Sequence, residues 1–94
     1  MHPKNLNFES KKYEDWVREQ ACIVCGRHGV DCHHVWHGRN NSYLSLPLCR
    51  EHHTISPDSY HRLEWRKFEE KHNLDLSWEI INSLSKYINE TALE

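Results

Sequence analysis

No stretch of this 94-residue sequence is long or apolar enough to cross a bilayer, and Met1 to Asn7 lacks the apolar run of a secretory signal. A cytosolic chain with no membrane partner is expected. Only three glycines and three prolines are present, with no internal repeat, Gly/Ser linker or low-complexity tract, so residues 1–94 should form one domain. Positive charge is also short: 12 Lys and Arg against 14 Asp and Glu leave a net charge of −2 with histidine neutral. A polyanionic partner would have to be held by a local basic face, not by the overall field of the chain. Size is the last deficit. A domain this small buries a modest share of its surface and needs a staple, and four cysteines with nine histidines make a metal ion the leading one. In a reducing compartment a Cys-x-x-Cys pair reads as a metal knuckle rather than a disulfide.

Hydrophobic spacing then divides the chain. Tyr13, Trp16, Val17 and Ala21 recur at helical intervals, with Lys11, Lys12, Glu14, Arg18 and Glu19 on the outer face, which predicts a helix from Ser10 to Gln20. Cys22 to Gly29 should be a tight turn, Gly26 and Gly29 tolerating the positive φ a knuckle requires. His33 to Trp36 and Tyr43 to Leu46 are short β-favouring runs on either side of a turn-rich loop, and Pro47 should end the second. Cys49 to Thr54 should make a helical turn, and Ser56-Pro57-Asp58 should open a helix reaching His72. After a break at Asn73-Leu74-Asp75, a last helix is expected from near Ser77, with Trp78, Ile81, Leu84 and Ile88 as its apolar stripe. Trp16, Trp36, Trp65 and Trp78 offer large apolar areas to the core. The order is αββαα: an α+β domain whose metal-rich middle, about 20–62, lies between helical flanks at about 10–20 and 77–90.

Cys22-x-x-Cys25 and Cys49-x-x-His52 have the spacing by which a tight turn aims two donors at one tetrahedral ion, and 23 residues separate the pairs. A redox Cys-x-x-Cys would not need the second pair. A structural Zn²⁺ bound by Cys22, Cys25, Cys49 and His52 is the expectation, with His53 the competitor for the fourth place. Cys32 has no partner at knuckle spacing and reads as a buried free thiol.

Between the knuckles lies Asp31-Cys32-His33-His34-Val35. Adjacent residues of a strand face opposite sides, and adjacent residues of a helix lie about 100° apart, so each of the pairs His33-His34 and His52-His53 can serve two centres. His33 and His53 would then meet around a second ion. Taken singly, each is more readily a surface histidine. Together these residues resemble the HNH, or ββα-metal, endonuclease family. The resemblance rests on Cys22-Ile-Val-Cys25-Gly26, Asp31-Cys-His33-His34-Val35 and Leu46-Pro-Leu-Cys49-Arg-Glu-His52-His53, and extends from about Tyr13 to Leu76. Among the branches, the sequence looks most similar to the small phage recombination-enhancement nucleases and their prophage relatives.

The resemblance implies a zinc-stapled treble-clef ββα-metal fold and a DNA phosphodiesterase with 5′-phosphate and 3′-hydroxyl products. It implies that His33 and His53 bind a catalytic divalent ion, Mg²⁺, Mn²⁺ or another, with His61 as a third ligand or else an exposed helical histidine. His34 would be the general base, a role suited to an imidazole with an ordinary pKa near 6.5. Asn41 would stand for the middle Asn of the family, although an Asn40-Asn41 pair also reads simply as a turn. Arg39, Arg50 and Arg62 are the candidate DNA contacts on a local positive face, while Glu14 is counted among the acids that oppose it. The same resemblance suggests a bacterial host cell, a phage or prophage origin and activation by a recombinase. The competing expectation is a non-catalytic treble-clef zinc module that binds nucleic acid or protein.

Overall fold

Ser10 has an extended backbone and its hydroxyl accepts from the Tyr13 N–H, satisfying one of the amides that a helix start leaves open. Helix α1 follows at Lys11–Arg18 and buries Tyr13 and Val17, four residues apart on one stripe. A computed structural model describes residues 8–36 and 40–92, and all that follows concerns these. Just before α1 the Phe8 N–H bonds to the Asn40 carbonyl at 2.9 Å and the Phe8 carbonyl accepts from Ser42, which ties the start of the helix to the loop of the hairpin.

The hairpin is β1 (Val30–His34) and β2 (Ser45–Cys49), antiparallel, with Val30 opposite Cys49, His33 opposite Leu46 and His34 opposite Ser45. Both strands differ from the sequence expectation. Gly29, at φ +83, turns the chain straight into pairing at Val30, and Trp36, at φ +53, ends the run where a strand was expected to continue. On the other side, Ser42–Leu44 is a 3₁₀ turn, so pairing starts only at Ser45. Pro47 lies inside β2 rather than after it. It stands opposite Cys32, and its carbonyl accepts from Ile23, outside the hairpin, at 3.2 Å, so no ladder bond needs the N–H that proline lacks. β2 is buried along its whole length against α1, the last helix and the turn that follows it.

A wide π turn at Glu51–Ile55 leaves β2. The expected helix start at Ser56 is instead a separate turn in which the Ser56 hydroxyl bonds to Asp58 and the Ser59 N–H to the Ser56 carbonyl. Helix α2 (Tyr60–His72) begins after Ser59, is interrupted at Glu64 (φ +69), and ends at Asn73 in the left-handed region at φ +54. Helix α3 (Leu76–Thr91) is capped by Asp75, whose carboxylate accepts from the Trp78 N–H.

The core contains Val35, Leu46, Leu48, Phe68, Leu76 and Ile80, packed beside Cys22 and Cys49. On α3 the buried stripe is Leu76 and Ile80, with Leu84 half-buried, whereas Trp78, Ile81 and Ile88 are exposed. This corrects the expected stripe. α3 is apolar on two faces, and its period alone does not say which one meets the core. The fold is α+β with a two-stranded sheet, and no helix among the described residues is long and apolar enough to cross a membrane.

Candidate metal centres

Two elements deliver the first group of donors. The turn from Cys22 is closed by bonds from the Gly26 N–H to the Cys22 carbonyl and from the Cys22 N–H to the Arg27 carbonyl, each 2.9 Å, with Gly26 at φ +76. Cys49 ends β2, and the π turn carries His52 back toward it. Cys25 Sγ lies 3.8 Å from Cys49 Sγ, and His52 Nδ1 lies 3.1 Å from Cys49 Sγ and 3.9 Å from Cys22 Sγ. All four donor atoms fall within 4.8 Å of one another. Tetrahedral thiolate and imidazole ligands of a zinc-sized ion stand roughly 3.3–3.8 Å apart, so these residues fit such an ion. None of the four cysteines is in a disulfide, and Cys32 stands outside the group. The Arg27 backbone amide holds the Cys25 thiol below its ordinary range, while burial pushes Cys49 up. His52, not His53, completes this cluster.

His53 turns the other way. Its Nε2 is 3.0 Å from His33 Nδ1, on β1, and 3.1 Å from His61 Nε2, on the first turn of α2. Its other ring nitrogen donates to Asp31 Oδ2 at 2.9 Å, and Arg50 grips the same carboxylate through Nε and a terminal nitrogen at 2.8 and 3.2 Å. A proton fixed at Nδ1 leaves the Nε2 lone pair aimed into the group, the arrangement that carboxylates commonly impose on metal-binding imidazoles. His33 Nε2 is buried with no partner, so Nδ1 is the edge by which this ring meets other polar groups. The three rings border an open cavity of about 530 Å³ that is also lined by Cys32, His34, Tyr60, Glu64 and Trp65.

The electrostatics match a neutral donor set. Burial, reinforced by His53 and His61, pushes His33 down to about 3, and burial followed by the His53 charge also lowers His61. The Arg50 hydrogen bonds, then that of His53, hold the Asp31 carboxyl below its usual range. At neutral pH the site therefore presents uncharged His33 and His61 imidazoles and an ionised carboxylate behind His53.

His34 shares the cavity with His33, and its Nε2 lies 3.5 Å from Glu14 Oε2, on α1. Asn41 caps the 3₁₀ turn, its Oδ1 accepting from the Tyr43 N–H at 3.0 Å, so it shapes the hairpin loop. Of the expected DNA contacts, Arg50 is exposed and engaged by Asp31, and Arg62 is exposed with Nε 3.5 Å from the Thr54 carbonyl. Arg39 lies outside the described residues. Sequence reasoning missed two carboxylates. Asp31 carried a usable signal, because residues two apart on a strand share a face and Asp31 stands two before His33. Glu14 carried none, since only the packing of α1 on β1 brings it to His34.

No curated protein and no solved structure matches the chain. One family profile does, over residues 1–91, and by that match the chain belongs to DUF968, a family of proteins of unknown function.

Proposed function

We propose that this protein is a metal-dependent DNA endonuclease of the HNH type, a small treble-clef ββα-metal domain. The observation that carries the proposal is the convergence of His33, His53 and His61 on one cavity wall beside a separate three-cysteine, one-histidine cluster, with His34 in the same cavity. Cys22, Cys25, Cys49 and His52 would hold Zn²⁺ as part of the fold. His33, His53 and His61 would hold a second divalent ion, and nitrogen donors favour Mn²⁺ or a later transition ion over Mg²⁺. That ion supplies stabilisation of the charge that grows on the phosphate and on the leaving 3′ oxygen. His34 takes the proton from the attacking water, which leaves a 5′-phosphate and a 3′-hydroxyl. Arg50 and Arg62 would meet phosphates at the rim. A purely structural zinc module would leave the second histidine group without a role.

The test is metal analysis of the purified chain followed by cleavage of single-stranded and duplex DNA with Mg²⁺ or Mn²⁺, with and without a recombinase filament. About one tightly held zinc per chain and cleavage dependent on added ion are expected. A chain that cuts no substrate under any of these conditions would leave the binding module as the better account.

A further inference from the structure

We infer that α1 belongs to the site through Glu14, which positions His34 with its proton on Nε2 so that Nδ1 is the atom left to accept. This rests on the nuclease reading for its chemistry, but its geometry stands apart from it. Glu14 is only partly exposed, 22% at the side chain, and three neighbours hold it. The Ser10 N–H donates to the Ser42 hydroxyl at 2.8 Å. With that lone pair taken, the single hydroxyl proton of the fully buried Ser42 points to Glu14 Oε2. Arg18 stands 3.9 Å from the other carboxylate oxygen. The oxygen that takes the Ser42 proton is the one 3.5 Å from His34 Nε2.

The backbone reinforces this placement. Phe8 binds the hairpin loop at Asn40 and Ser42, so α1 starts from the same loop that ends β1, and Glu14 is set one turn into it. A carboxylate at Nε2 favours the tautomer with its proton there, which leaves a lone pair only on Nδ1. When water gives its proton to Nδ1, the resulting imidazolium is offset by Glu14, as carboxylates do for histidine bases elsewhere. The separation of 3.5 Å is longer than a tight hydrogen bond, and catalytic bonds often shorten only when substrate arrives. Glu14 is thus a positioning residue; it touches the base and not the DNA.

The test uses the zinc-loaded full chain with ¹⁵N-labelled histidine, comparing the parent with Glu14→Leu, Glu14→Gln and Ser42→Ala. Nitrogen shifts report the His34 tautomer, and steady-state cleavage with Mn²⁺ reports kcat and KM. In the parent, His34 is expected as the Nε2-protonated form. Glu14→Leu should mix the tautomers and lower kcat by about 10–100-fold with KM nearly unchanged, the usual scale for a group behind an active residue. Glu14→Gln keeps an accepting oxygen and should retain the tautomer, with a smaller loss of kcat. Ser42→Ala frees the carboxylate without removing it and tests the same point should Glu14→Leu fail to fold; a partly mixed tautomer is expected. An unchanged tautomer in both Glu14→Leu and Ser42→Ala, or a mixed one in an active parent, overturns the placement. A parent that cuts no DNA, yet has the Nε2 form that Glu14→Leu releases, defeats the nuclease reading and upholds the placement.

Discussion

The two clusters use the same side chain from adjacent positions and do opposite things with it. Around His52 the partners are three cysteines, two of them almost fully buried, and the four donor atoms lie within 4.8 Å of one another, close enough to surround one ion. Around His53 the partners are two imidazoles, one of them exposed, with an open cavity in front and a carboxylate behind the ring. A closed shell can only hold its ion, whereas an incomplete one leaves room for water or phosphate. The difference is a matter of direction along one π turn, where consecutive residues are rotated apart and one ring goes to each centre.

Breaking the closed cluster should have the largest effect. Cys49→Ser removes a buried donor from a site where a bound zinc would contribute on the order of 10 kcal/mol to folding. Loss of bound zinc and of cooperative thermal unfolding is expected, read by metal analysis and circular dichroism. A Cys49→Ser chain that melts cooperatively near the parent temperature would show that the four donors are not the staple.

The open cluster should respond in activity and leave the fold alone. His34→Ala is expected to slow cleavage by about two to four orders of magnitude with zinc content and melting retained, since a positioned base supplies that much. His33→Ala should also lose activity, but raised Mn²⁺ should restore part of it, because a ligand defect is an affinity defect. Equal response of both variants to added ion, measured as rate against Mn²⁺ concentration, would break the division between base and ligand.

Asp31→Asn sharpens the comparison further, since among the described residues only the open cluster has a carboxylate bonded to its histidine. Affinity of the histidine group for Co²⁺ or Mn²⁺ should fall by about 10–100-fold. The zinc site should be untouched. Titration of the zinc-loaded chain, followed by the visible absorption of Co²⁺, separates the two; a fall in zinc content alongside would contradict the independence of the clusters.

The smallest effect concerns acid. His33 protonates near 3 in the folded chain and near 6.5 once unfolded, so the unfolded state binds the extra proton between those values. Stability tied to the neutral ring is complete above pH 6.5 and drains as the pH falls toward 3. Any ion held by the thiolates would leave both the parent and His33→Leu in acid, which makes their difference the quantity to follow. Between pH 6.5 and 4.5 the parent should lose on the order of 1–2 kcal/mol more than His33→Leu by urea unfolding without added divalent ion. Parallel pH profiles would remove the burial argument for His33.

Much of this is legible in the sequence. Knuckle spacing is a local property, so Cys22, Cys25, Cys49 and His52 could be grouped from sequence, and the His33-His34 and His52-His53 doublets could be split by simple periodicity. The strand limits were less legible, because Pro47 looks like a terminator until its carbonyl is seen to bond outside the hairpin. The core face of α3 is illegible for a related reason: Leu76 and Ile80, four apart, compete with Trp78 and Ile81, three apart, and both spacings are helical.

By itself the sequence determined the donor types, their pairing by spacing and the order of elements, all of which depend on neighbours a few residues apart. Tertiary structure alone decided that His61 joins His33 and His53, that Asp31 and Arg50 orient His53, and that Glu14 turns from an apparent surface acid into the partner of His34. Those contacts span from 8 to 22 residues of chain, and the helix and strand periods that make local patterns readable carry no information over such distances.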